Sequence, residues 1–204
     1  MPRTPAIRPH ILLITLVGVL GACATSNPTT VEGISNPTDT SALATGPDAH
    51  VFVDAGYAST RLGDRWLVLE AVLGARTGRR IEIERQAITV RTPSGLTLPL
   101  ATQQEYADAY GELRPVVLHP SVAEPSSRVF GAPRRSCGRW FFVPPGEGFA
   151  AESLSIGGAE QCWGVLVFQV PGGVQPGPWR LDLDLEESDV RVPFRVEDRE
   201  GRRR

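Results

Sequence analysis

Trp179-Arg180-Leu181-Asp182-Leu183-Asp184-Leu185 sets apolar side chains at every odd position and charged ones between them, and Val190, Val192, Phe194 and Val196 repeat the pattern among Arg191, Pro193, Arg195 and Glu197. A period of two is the mark of a strand with one buried face. Glu186 to Asp189 supply a turn, so the two runs read as an antiparallel hairpin whose charged face meets solvent. Pro193 has no N–H to give a ladder, which places the second strand at a sheet edge.

Upstream of the hairpin, Arg65 to Leu73 is apolar on both parities apart from Glu70, and Gln161 to Val170 apart from Gln169, so both read as central strands. Ile81 and Ile83 share odd parity while Ile88 and Val90 are even. The run must therefore contain a bulge or a change of sheet near Arg85 to Ala87. Leu96 to Leu100 and Gly138 to Val143 add strands. Thr102 and Glu105 have capping-box spacing and open a helix from Gln103 to about Glu112, with Gly111 and Pro115 as its terminators. The tryptophans at 66, 140, 163 and 179 fall in strands, which favours core packing over a sugar-stacking platform. The expectation is all-β: an immunoglobulin-like β-sandwich of about eight strands over residues 50–197 with one short helix (about 103–112), an irregular barrel being the alternative.

At the other end, Arg3 and Arg8 precede an apolar run from Ile11 to Leu20, and Leu20-Gly21-Ala22 leads into Cys23. The run is short for a bilayer crossing, which takes about 20 residues, and reads as a secretory signal over 1–22. Leu20-Gly21-Ala22-Cys23 resembles the lipobox of bacterial lipoproteins. That resemblance implies cleavage before Cys23, thioether lipidation and N-acylation, and a membrane anchor of several acyl chains, more than the single chain that binds marginally. Ala24, where an Asp often marks inner-membrane retention in that family, leans to the outer membrane facing the periplasm. Residues 23–49 are rich in Thr, Ser, Asn, Pro, Gly and Ala and are expected to be a disordered tether of roughly 25–30 Å root-mean-square span. Residues 198–204 read as a basic tail. Ala87 to Leu100, Pro144-Pro145-Gly146-Glu147, Gly164 to Pro171 and Trp179 to Leu185 together resemble the C-terminal immunoglobulin-like domains of unknown function of bacterial lipoproteins, a resemblance that implies architecture and location and carries no catalytic residue. The stretch Ser121 to Ser136 exceeds that pattern.

All 21 basic positions among the 204 residues are arginine, so chemistry that requires a lysine amine or a phosphate-loop lysine is excluded. With 23 acidic residues the net charge is −2, which gives no general attraction to nucleic acid. Three cysteines are odd for an exported protein. Lipidation of Cys23 leaves Cys137 and Cys162 as an expected structural disulfide, worth roughly 3–4 kcal/mol in the chain-entropy view. His50 and His119 offer no close ligand pair with the cysteines, so no metal site and no cofactor is expected.

Glu82 with Glu84 and Asp182 with Asp184 sit two apart on strands, roughly 6.5–7 Å between neighbours on one face. That spacing overlaps the carboxylate pair of a glycosidase-like hydrolase, yet any solvated strand face with two acids produces it. Asp182, Asp184, Glu186, Glu187 and Asp189 are a weaker calcium candidate, lacking the glycine and ligand order of a helix-loop-helix site. No G-x-S-x-G elbow occurs, Ser94 and Ser155 lie in turn-like surroundings, and Gly157-Gly158 and Gly172-Gly173 do not open helices. Arg128, Arg134, Arg135 and Arg139 form the strongest local positive cluster and are a candidate surface for an anionic envelope component or an envelope protein. The reading is a lipid-anchored, non-catalytic binding or accessory module contacting its partner through 121–136.

Overall fold

The computed structural model describes residues 33–76, 78–118, 140–157 and 160–198. Eleven strands lie in them: β1 (Ile34–Thr38), β2 (Ser41–Thr45), β3 (Ala49–Asp54), β4 (Trp66–Ala75), β5 (Arg80–Glu84), β6 (Ile88–Arg91), β7 (Thr97–Pro99), β8 (Ser153–Gly157), β9 (Gln161–Gln169), β10 (Gly177–Asp184) and β11 (Asp189–Val196). They form antiparallel sheets in the orders β1-β2-β3-β4-β9 and β11-β10-β6-β7, with β5 and β8 as a separate ribbon. The result is the expected all-β sandwich. β11 lies over β2 and β3, β7 touches β9, and buried side chains from both sheets merge into one core.

The hairpin that reads most clearly in the sequence forms in register, Trp179 opposite Phe194, Leu181 opposite Val192 and Leu183 opposite Val190, with the charged partners outward. β4 is buried along all ten residues, as a run apolar on both parities requires. β9, expected to be central, is last in its sheet; its apolar character comes from two groups that cover its open side. Trp140 Nε1 donates to Val165 O at 2.7 Å and Ala101 N to Val167 O at 2.9 Å. Gly164 makes this possible, because a Cβ there would lie 2.1 Å from the Trp140 ring.

The other three edges of the two large sheets each carry a proline: Pro37 in β1, Pro99 in β7 and Pro193 in β11. A missing donor on an edge discourages pairing with another chain.

The parity change at 85–87 is a change of sheet. The chain leaves the β5–β8 ribbon, makes a 3-10 turn over Arg85–Ala87, and enters the four-stranded sheet as β6. Arg85 fixes the turn. Only 9% exposed, its guanidinium donates from Nη1 to Ala101 O (2.8 Å), from Nη2 to Phe141 O and to Ala151 O (3.1 Å), and from Nε to Glu152 Oε2 (3.1 Å). It also lies 5.5 Å and 5.2 Å from the ring centres of Phe141 and Phe142. A buried charge held by backbone carbonyls and aromatic faces has its lost hydration replaced.

Three expectations change. Residues 34–45, assigned to the tether, form β1 and β2, and Ala42 and Ala44 are buried at the sheet interface. The Thr, Ser and Asn content hid two small apolar side chains whose size lets β11 approach. The strand expected over Gly138 to Val143 is absent where it can be seen. Trp140 to Val143 makes no ladder and is pinned by Ala151 N to Trp140 O, Arg85 to Phe141 O, and both amide ends of Gln103 to Val143. The helix opens on the Thr102–Glu105 capping box but does not stop near Glu112. It breaks at Ala109 into α1 (Gln103–Asp108) and α2 (Tyr110–Val117), and α2 runs through Pro115. Burying Leu113 and Val116, at about 1.5–3 kcal/mol each, offsets the ~3 kcal/mol an interior proline costs.

Replacing Arg85 by Met leaves three carbonyls without their donor. The Arg85→Met variant is expected to lose about 3 kcal/mol or more in urea unfolding, and Arg85→Lys to recover only part, since an ammonium has no planar fork to span the same acceptors. An unfolding midpoint unchanged from the parent would show the guanidinium to be dispensable.

Candidate functional site

Where β5 parts from β6, its outer edge faces the end of β10, and the gap between them is a cleft of about 580 Å³. Glu82 and Glu84 enter from β5, Gln86 from the 3-10 turn, and Asp184 and Glu186 from the end of β10 and the turn after it. The alternation of β5 puts Ile81 and Ile83 into the core and the glutamates outward. Ser153 Oγ donates to Glu82 Oε1 at 2.9 Å and Gln86 Nε2 donates to Glu84 Oε2. No cation is among the residues lining this cleft. It continues at one side into a shallower groove of about 610 Å³ floored by Pro99 and Leu100 beside Arg85, sharing Glu84 and Gln86. At the other side, sharing Glu82, Leu185 and Glu186, it reaches Arg79, which is 3.5 Å from Asp48 and 3.3 Å from Glu187.

The two carboxylate pairs of the sequence are thus partly brought together. Glu82, Glu84 and Asp184 share the cleft, joined by Glu186. Asp182 does not: both its oxygens are taken by Arg180 two residues back on the same strand, at 2.6 and 2.7 Å. The four cleft carboxylates are exposed.

The acids of the calcium candidate are partly engaged elsewhere. Asp182 faces Arg180, Glu187 faces Arg79 and Asp189 faces Arg191 at 3.4 Å, so three of its five acids are directed at the chain's own arginines. Among the described residues no three His, Cys, Asp or Glu side chains converge as a metal site would require.

His50, on β3, contacts Thr45 Oγ1 through Nδ1 at 3.2 Å, and burial, then the nearby Arg76 charge, holds its imidazole below the usual value. Both favour the neutral ring. Cys162 is fully buried at the start of β9. Cys23, Cys137, His119 and the arginines at 128, 134, 135 and 139 lie outside the described residues, as do 1–22 and 199–204.

Sequence reasoning weighed Glu186 only as a calcium ligand and passed over Gln86 and Arg85. The signal was present in the parity break at 85–87, because a strand that leaves its sheet exposes an edge on each side of the split.

Millimolar calcium is expected to leave the melting temperature unchanged, since ligand binding to the folded state would raise it by mass action; a saturable rise of several degrees would restore the cation reading. No protein family model, curated protein or solved structure matches the chain, so its functional reading rests on its own residues and geometry.

Proposed function

We propose that the protein is a lipid-anchored accessory module of the bacterial cell envelope that binds a partner and catalyses nothing. The observation that carries the reading is Leu20-Gly21-Ala22-Cys23 behind an arginine-led apolar run. Acyl chains on Cys23 fix the sandwich to a membrane, by preference the outer membrane on its periplasmic side. With β1 opening at Ile34, ten residues separate it from Cys23, and full extension bounds the first strand to within about 35 Å of the lipid surface. The non-catalytic half of the reading rests on the sequence, which holds no G-x-S-x-G elbow and no lysine.

The arginines at 128, 134, 135 and 139 are retained as a surface for an anionic envelope component, since planar guanidinium groups suit phosphate and carboxylate. Cys137 and Cys162 are proposed to be bridged. The full burial of Cys162 supports this, as does the parity of the cysteines once Cys23 is lipidated.

Cells fed an alkyne fatty acid are expected to label the parent protein and not the Cys23→Ser variant, which should leave the membrane fraction. Absence of label on the purified parent would overturn the anchor. In the exported protein, non-reducing peptide mapping is expected to find Cys137 linked to Cys162. Two alkylatable thiols in the unfolded, unreduced chain would overturn the bridge.

A further inference from the structure

We infer that the outer edge of β5 accepts an extended, arginine- or lysine-bearing segment of a partner protein as an added strand in the acidic cleft. The inference goes beyond the envelope reading and stands whether or not Cys23 is lipidated.

Three observations carry it. Among the described residues β5 pairs with β8 alone, and no backbone hydrogen bond from outside that pair reaches residues 81–84. Facing it, the β6 ladder on β10 ends at Leu183 opposite Ile88, so Asp184 lies beyond the last pair on that side. The split therefore presents backbone donors and acceptors to one cleft, the arrangement that strand addition uses.

The second is that this edge, unlike the free edges of the two large sheets, has neither a proline nor a covering group. The free edges of the two large sheets carry Pro37, Pro99 and Pro193 or are covered by Trp140 and Ala101. β5, Arg80-Ile81-Glu82-Ile83-Glu84, has no proline. Its five residues extend about 17 Å, enough for four or five residues of a guest.

The third fixes the chemistry of the guest. Glu82, Glu84, Asp184 and Glu186 line the cleft with no cation among its lining residues, and none of the four takes part in a salt bridge among the described residues. Alternate side chains of an added strand fall on the face of β5 that carries Glu82 and Glu84, so basic residues two apart meet these two carboxylates, with Arg80 two positions further along the same face. A second copy of this chain offering its own β5 in antiparallel register would set Arg80 against Glu84 but Glu82 against Glu82, a less complementary match than a guest that is basic at every second position.

The test uses the full chain and a fluorescent octapeptide of alternating arginine and valine, followed by anisotropy. Saturable binding is expected, weakening as salt rises, because exposed charges are screened beyond about 8–10 Å at 0.1–0.15 M ionic strength. The glutamate–valine counterpart is expected not to bind. The arginine–valine peptide methylated on its backbone amides is expected to lose about tenfold or more in affinity, since methylation removes the ladder donors and leaves every charge. The variant Glu82→Gln/Glu84→Gln/Asp184→Asn, all at exposed positions, is expected to lose about tenfold as well, a few tenths to one kcal/mol for each exposed charge.

No saturable binding by the parent overturns the inference. Equal binding of the methylated peptide overturns strand addition, and equal binding of the glutamate peptide overturns the choice of guest. Self-association of the chain that the arginine peptide does not disturb would give the edge to a second copy, also against the proposal. The peptide comparisons are made on the parent protein, so they decide the matter even if the triple variant proves unstable.

Discussion

A single buried guanidinium holds together the part of this molecule that is not sheet. Arg85 reaches a carbonyl just before α1 at Ala101, one in the irregular stretch at Phe141, and one next to the carboxylate it also pairs with, at Ala151 and Glu152. These acceptors are up to 67 positions away in sequence. An unpaired charge at that depth would cost several kcal/mol, so the segments are obliged to converge on it. Because Glu152 is the one charged partner and its side chain is largely exposed, the neutral carbonyls and the two phenylalanine faces provide most of the replacement for water. Trp140 to Val143 is held without a ladder, its carbonyls at 140, 141 and 143 bonded by Ala151 N, Arg85 and Gln103.

The same residue sits beside the opening. Arg85 heads the 3-10 turn at which the chain passes from the β5–β8 ribbon to the sheet of β6 and β10. The cleft is the outer side of a contact whose inner side lies in the core, and the part of its lining that β5 supplies follows from alternation. Residues of β5 that do not face the core must face the gap, and in this sequence they are Glu82 and Glu84.

How much of this is legible in the sequence depends on how local its cause is. The β10–β11 hairpin, the capping box and the parity break are local, and each appears where the residues say. β1 and β2 are not local in this sense. Their signal is a pair of alanines that become core only because β11 packs over them, and composition alone assigns the segment to a tether. α2 fails for a similar reason, since Gly111 and Pro115 argue for an end while the burial of Leu113 and Val116, which only tertiary contact supplies, argues for continuation. For the site, the two glutamates of β5 are visible as a pair, but their meeting with Asp184 and Glu186 rests on the path of a different strand. That Asp182 is withdrawn by Arg180 is written in the sequence as an i, i+2 pair on one strand face and is overlooked when carboxylates are counted by themselves.

The carboxylates that meet in the cleft are exposed to water. What exposed like charges on an edge supply is a field that draws an oppositely charged strand and orients its approach, an effect on association rate and partner choice more than on affinity. Each contact is weak, a fraction of a kcal/mol to about one. Weak contacts suffice when both partners are confined. If the sandwich is held at a membrane through Cys23, a partner in the same envelope layer meets it at an effective concentration set by the short link between anchor and domain, and avidity rises without any new contact. The anchor and the acidic edge would then be complementary, one fixing where the encounter happens and the other which strand is kept.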